Sequence, residues 1–172
     1  RGIAWTAPDA TIELRRRPGG LDLVADLAVE ARGRTGRFVA TGAFSSRDAQ
    51  ARIELAFTRL APGLLADLEP QLTELARFDL PVDGKLRLTV GRDLSPIEAT
   101  LDLVGKAGAV RLPELYPHPL AVAGLVLRAR VEDGLKRLVV EELRMQRSSG
   151  AIVTLKGTAA RRDGALDLAI DG

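Results

Sequence analysis

The stretch Gln50-Ala-Arg-Ile-Glu-Leu-Ala-Phe-Thr-Arg-Leu60 decides the fold class. Drawn as a pleated strand it puts Ile53, Leu55 and Phe57 on one side and Arg52, Glu54 and Thr58 on the other, because successive side chains point to opposite faces. Wound as a helix, the same residues would scatter the two sets around the axis. The spacing predicts a β-strand with one apolar and one wet face.

The alternation recurs in both directions from this point. Leu86, Leu88 and Val90 alternate with Lys85, Arg87 and Thr89, and Ile97, Ala99, Leu101 and Leu103 alternate with Glu98, Thr100 and Asp102. Further on come Leu125, Leu127, Ala129 and Val131 against Arg128, Arg130 and Glu132, then Leu166, Leu168 and Ile170 against Asp167 and Asp171. Strands are expected over 10–17, 20–31, 37–44, 50–60, 84–91, 96–104, 108–112, 120–132, 135–147, 150–160 and 165–171. Asp83-Gly84, Asp133-Gly134 and Asp163-Gly164 have the chemistry of tight hairpin turns, since both residue types tolerate positive φ. Pro18-Gly19-Gly20, Gly33-Arg34-Thr35-Gly36, Ser45-Ser46-Arg47-Asp48 and Ser148-Ser149-Gly150 supply further reversals, and Gly105-Lys-Ala-Gly108 reads as a turn.

One segment departs from this period. Leu64, Leu65, Leu68, Leu72 and Leu75 recur every three or four residues, which predicts a short helical segment over 61–78 lying on an end of the sheet. Pro70 should kink it or divide it in two, because proline lacks the amide donor and clashes with the preceding turn. The fold expected is mainly β: a long antiparallel meander forming a curved sheet or open groove, one β-rich segment over 1–172.

The chain has 172 residues, 46% hydrophobic and only 3% aromatic, so its interior must be aliphatic. A membrane β-barrel would need interfacial aromatic girdles, and Trp5 and Tyr116 are the only Trp and Tyr. The net charge is +2 and there is no Cys, which excludes disulfides and thiolate metal sites. The Arg1-Gly2-Ile3 start, without Met, leader or long apolar run, is expected of an internal piece of a larger protein.

The residues offer little to an enzyme. His118 is the only histidine and sits in the proline-rich stretch Pro113-Glu-Leu-Tyr-Pro-His-Pro119, with no nucleophile elbow to serve. Asp22 with Asp26, and Asp167 with Asp171, share the polar side of their strands, where nothing raises a carboxylate pKa. Gly84-Lys85 and Gly105-Lys106 lack the spacing of a phosphate-binding loop. Arg15-Arg16-Arg17 and Arg161-Arg162 stand among acidic residues without aromatic stacking platforms, which argues against nucleic acid. No catalytic residue, metal site or cofactor is expected.

What remains is an apolar strand surface larger than one short helix covers. It either closes into a sandwich or barrel, a scaffold or protein-interaction domain, or stays open and meets acyl chains along its concave side. Phe57-Thr-Arg-Leu-Ala-Pro-Gly-Leu-Leu65, the Leu-rich segment, Asp79-Leu-Pro-Val-Asp-Gly-Lys-Leu-Arg-Leu-Thr-Val90 and the paired hairpins that follow resemble the AsmA-like family, its YhdP-type members in particular. That resemblance covers about the last two-thirds of the chain and carries no catalytic signature. It implies a periplasmic groove, anchored in the inner membrane by a helix outside this segment, that helps phospholipids reach the outer membrane. Flanking segments of the same protein and other envelope proteins are its implied partners. The residues expected to line the groove are Ile53, Leu55, Phe57, Leu86, Leu88, Val90, Ile97, Leu101, Leu103, Leu125, Leu127, Val131, Leu166, Leu168 and Ile170.

Overall fold

A computed structural model describes residues 6–66, 70–93, 95–114, 116–134, 136–162 and 165–171; Pro70, Gln71, Arg161, Arg162, Ala165, Leu166 and Leu168 are described by their backbone alone. Trp5, Leu68 and the Asp163-Gly164 turn lie outside the described residues. The strands are β1 (Thr6–Arg17), β2 (Gly20–Ala31), β3 (Arg34–Ser45), β4 (Gln50–Leu60), β5 (Phe78–Asp79), β6 (Val82–Gly91), β7 (Pro96–Gly105), β8 (Gly108–Val110), β9 (Leu120–Glu132), β10 (Arg137–Arg147), β11 (Ile152–Arg162) and β12 (Ala165–Asp171). They form one antiparallel sheet in the order β1-β2-β3-β4-β6-β7-β9-β10-β11-β12. The sheet is curved and does not close, so β1 and β12 are its two margins.

The turns follow local chemistry. Gly19, Gly33, Gly134 and Gly150 take positive φ at four of the reversals, where a β-carbon would be strained. At the β6–β7 turn the Asp93 carboxylate accepts hydrogen bonds from the Ser95 amide at 3.1 Å and hydroxyl at 2.6 Å. Asp83-Gly84, expected as a turn, lies instead inside β6. A β-carbon on Gly84 would stand 2.6 Å from Cζ of Phe57, so this glycine makes room for the ring of the residue directly opposite it. The second hairpin turn is centred on Arg32-Gly33, and Arg34 already belongs to β3.

Strands β5 and β8 continue the ladders of β6 and β7 across a break. β7 and β8 both pair with β9 in one uninterrupted register, from Ala99 opposite Val131 to Val110 opposite Leu120. Gly105-Lys-Ala-Gly108 is therefore a gap within a ladder, where a reversal was expected. Leu80, 1% exposed, fills this gap: a β-carbon on Gly105 or Gly108 would fall 2.4 or 2.5 Å from its side chain. The Lys106 amide donates to the Pro81 carbonyl at 2.9 Å and closes the break.

The 61–78 segment is divided as proline chemistry requires, but it forms two 3-10 pieces, Pro62–Leu64 and Pro70–Arg77, instead of an α-helix. Each begins at a proline, whose fixed φ suits a first turn. Three residues per turn place Leu72, Leu75 and Phe78 in line, which the leucine spacing satisfies as well as it does an α-helix. The segment lies over one end of the apolar face. Leu65 and Phe78 pack against a core of Phe57, Leu60, Leu80, Val82, Val110, Val122 and Leu125, and Leu64 packs with Ala31 and Ala61. Two bulges make this core: register shifts at Thr58-Arg59 and at Ala123 turn Leu60 and Val122 to the side already faced by Phe57 and Leu125.

Candidate functional site: an open apolar face

Cross-strand register turns the alternation of single strands into ranks that run the width of the sheet. The middle rank is Ile12, Ala25, Ala40, Leu55, Leu86, Leu101, Ala129, Val140, Gly157 and Ile170, each directly opposite the next. One rank over stand Leu14, Leu23, Gly42, Ile53, Leu88, Ala99, Val131, Leu138, Ala159 and Leu168. On the other side run Ala10, Leu27, Phe38, Phe57, Gly84, Leu103, Leu127, Leu143 and Leu155. No polar residue interrupts these ranks. At about 4.8 Å between strands the ten-strand width is roughly 43 Å, and ranks are separated by roughly 6.8 Å along each strand.

The expected lining residues whose side chains are described lie, Ile97 aside, on this face with different exposure. Phe57, Val90 and Leu125 are buried, the first and last of them in the core at the covered end. Ile53, Leu55, Leu86, Leu88, Leu101, Leu103, Leu127 and Val131 are half-buried, shielded by strand neighbours and not by a second sheet. Ile97 is the extra residue of a bulge between Thr89 and Val90 of the neighbouring strand. Ile170 is 54% exposed, while the side chains of Leu166 and Leu168 lie outside the described residues. The expected list omits Ile12 and Leu14 of β1, which at 62% and 61% are the most exposed large apolar side chains of the face among the described residues. Their alternation with Glu13 and Arg15 carried the signal.

The opposite face is held in water by cross-strand ion pairs. Arg37 binds Asp26 through two nitrogens, and Lys85 and Arg87 both reach Glu54, at 2.8 and 3.0 Å. Arg128 pairs with Glu142 at 2.9 Å and Arg130 with Glu141 at 2.6 Å. Hydrogen bonds from Arg37 hold the Asp26 carboxyl below its ordinary pKa, and those from Lys85 and then Arg87 do the same for Glu54. Each exposed pair adds little stability alone; the row as a whole makes inversion of the sheet, with charges against apolar cover, costly. Asp22, read as solvated, accepts from Arg17 at 2.8 Å. A hollow of about 580 Å³ lies between side chains of this polar face, around Thr41, Arg52, Glu54, Arg87 and Thr100.

His118 is exposed in its loop. Among the described residues no three His, Asp or Glu side chains are grouped to hold a metal ion, and no helix is long and apolar enough to cross a membrane. Comparison with models of known protein families, with curated proteins and with solved structures returned no match. The face itself therefore carries the functional argument.

Proposed function

We propose that the open apolar face binds or conducts the acyl chains of phospholipids, and that the chain is a non-enzymatic segment of an AsmA-like envelope protein. The periplasm is its proposed location, with the parent protein anchored in the inner membrane outside this segment. One observation supports the reading above others: three apolar ranks cross the sheet with a covering layer at one end only. Exposed apolar surface of this extent is costly in water, at about 25 cal/mol per Å², and marks a surface that meets something apolar. Aliphatic side chains interspersed with Ala and Gly suit flexible tails, which need shape tolerance and no directional partner.

Photo-crosslinking residues placed at Leu88 and Leu127 in lipid-bearing cells test this. Adducts with phospholipid at both, and none from a residue placed at Arg87 on the polar face, are expected. Lipid-free protein without adducts at either apolar position would overturn the reading.

A second reading, an interaction module, draws on β1, whose residues are all exposed and whose outer edge pairs with no strand among the described residues. Such an edge accepts a strand from another chain. The closed scaffold that the sequence also allowed is not formed, since the sheet is open.

A further inference from the structure

Strand β1 is a margin of the sheet, and its outer edge pairs with no strand among the described residues. Its ladder to β2 runs unbroken from Asp9 to Arg17, while a bulge sets Thr6 apart and Pro8 has no amide to donate. Backbone groups of 9–17 that point away from β2 are therefore a row open to a further strand. Ala10, Ile12 and Leu14 stand on the apolar face, and Asp9, Thr11, Glu13 and Arg15 stand on the polar one. Every one of these side chains is exposed.

The edge is complementary to itself. When a second copy lays its own β1 antiparallel alongside, with both apolar faces on one side, a residue must meet one of its own face, so the two-fold axis passes through a residue position. Centred on Thr11, the pairing sets Asp9 against Glu13; centred on Glu13 or on Arg15, it sets that residue against its own copy. Centred on Leu14, it sets Ile12 against Arg16. Centred on Ile12 it does none of these: Ile12 meets Ile12, Ala10 meets Leu14, Thr11 meets Glu13 and Asp9 meets Arg15. Arg15 already lies 2.8 Å from Glu13 of its own strand, which holds its guanidinium on the face where the second Asp9 would stand.

We propose that β1 pairs with β1 of a second copy about a two-fold axis through Ile12. Asp9 to Arg15 of each strand enter the ladder, and two Asp9–Arg15 pairs of opposite charge select this register over its neighbours. The axis stands perpendicular to the sheet, so the apolar faces of the copies join on one side. The interface uses the same patch on both copies, which limits assembly to two. The proposal rests on the reading of β1 as an interaction edge and not on the acyl-chain reading.

Sedimentation equilibrium over a range of concentrations tests it, together with disulfide mapping, since the chain has no cysteine of its own. A monomer–dimer equilibrium that stops at two is expected. Residues directly opposite each other have Cα atoms about 4.5–5.5 Å apart, within disulfide reach, so Ile12→Cys is expected to give a cross-linked dimer under mild oxidation. Leu14→Cys, as exposed and on the same face, is expected to give none, because its copy would lie about 13 Å farther along the strand. Asp9→Arg and Arg15→Asp are each expected to weaken the dimer about tenfold, and the double exchange to restore it. A cross-link at 14 in place of 12, or a dimer weakened by Arg15→Asp and not by Asp9→Arg, would overturn the proposal while leaving β1 a pairing edge. A chain that stays monomeric at every concentration, or that grows past two, would overturn it as well, and the acyl-chain reading keeps its own test at Leu88 and Leu127.

Discussion

Leu80 stands where a side chain on Gly105 would have to go: Cδ1 of the leucine lies 2.4 Å from the position of the missing β-carbon. The leucine is the wedge that lets two ladders continue across a break, and the glycine is the notch that receives it. Gly105→Ala is expected to destabilise the chain by about 1–3 kcal/mol through overpacking. Leu80→Ala is expected to cost about 2–5 kcal/mol through the cavity it leaves. The double variant should cost clearly less than the sum, because the new methyl enters the vacated space. Urea midpoints of the four proteins measure this, and strict additivity would show that the two residues do not share the space.

Acid should weaken the fold through its paired carboxylates. Asp26, Glu54, Asp83, Asp93 and Glu114 all have folded-state pKa values lowered by hydrogen bonds, from Arg37, from Lys85, from the Arg59 amide, from Ser95, and from backbone and Arg77 respectively. A lowered folded value means the stabilisation is fully present above the ordinary values of 3.8 for Asp and 4.5 for Glu, and is lost as pH falls through the lowered ones. Urea midpoints are therefore expected to be flat from pH 7 to about 5 and to fall below about 4. Asp83→Asn should make that fall shallower, and an unchanged slope in this variant would contradict the role given to Asp83.

The absence of native cysteine allows single cysteines to map cover on the apolar face. Thiols placed at Ile12, Leu14 and Leu138 should react quickly with a small water-soluble reagent, and thiols at Leu80 and Val122 should be protected. Added fatty acid should slow the first group if acyl chains lie there, while equal rates with and without it would count against the proposed function.

Arg59→Gly carries a prediction of opposite sign from most substitutions. Removing the β-carbon from a left-handed position should raise stability by about 1 kcal/mol. Urea midpoints of the two proteins measure this, and an unchanged or lower midpoint would show that the left-handed backbone at 59 costs the fold nothing.

Strand positions were readable from the chain because aliphatic side chains alternate with Arg, Glu, Asp and Thr at a period only a pleated strand satisfies, as at Ile53-Glu-Leu-Ala-Phe57. The ranks were not, since register between strands depends on turns such as Arg32-Gly33 and on bulges such as Thr58-Arg59, which leave no periodic trace. Asp83-Gly84 misled because the same dipeptide serves a turn and a glycine under an aromatic ring. The leucines of 61–78 could not separate α from 3-10 winding, as Leu72 and Leu75 are in line under both. Two-residue β5 is too short to show any period.

Strands follow one another across the sheet almost in chain order, and the number of through-going ribbons is even. The first and last consequently run in opposite senses, so an added hairpin would meet either margin with its direction right and its greasy side already uppermost. Length can grow or shrink in such steps without recasting what is there, and the breadth of the apolar face is set simply by how many such steps a chain contains.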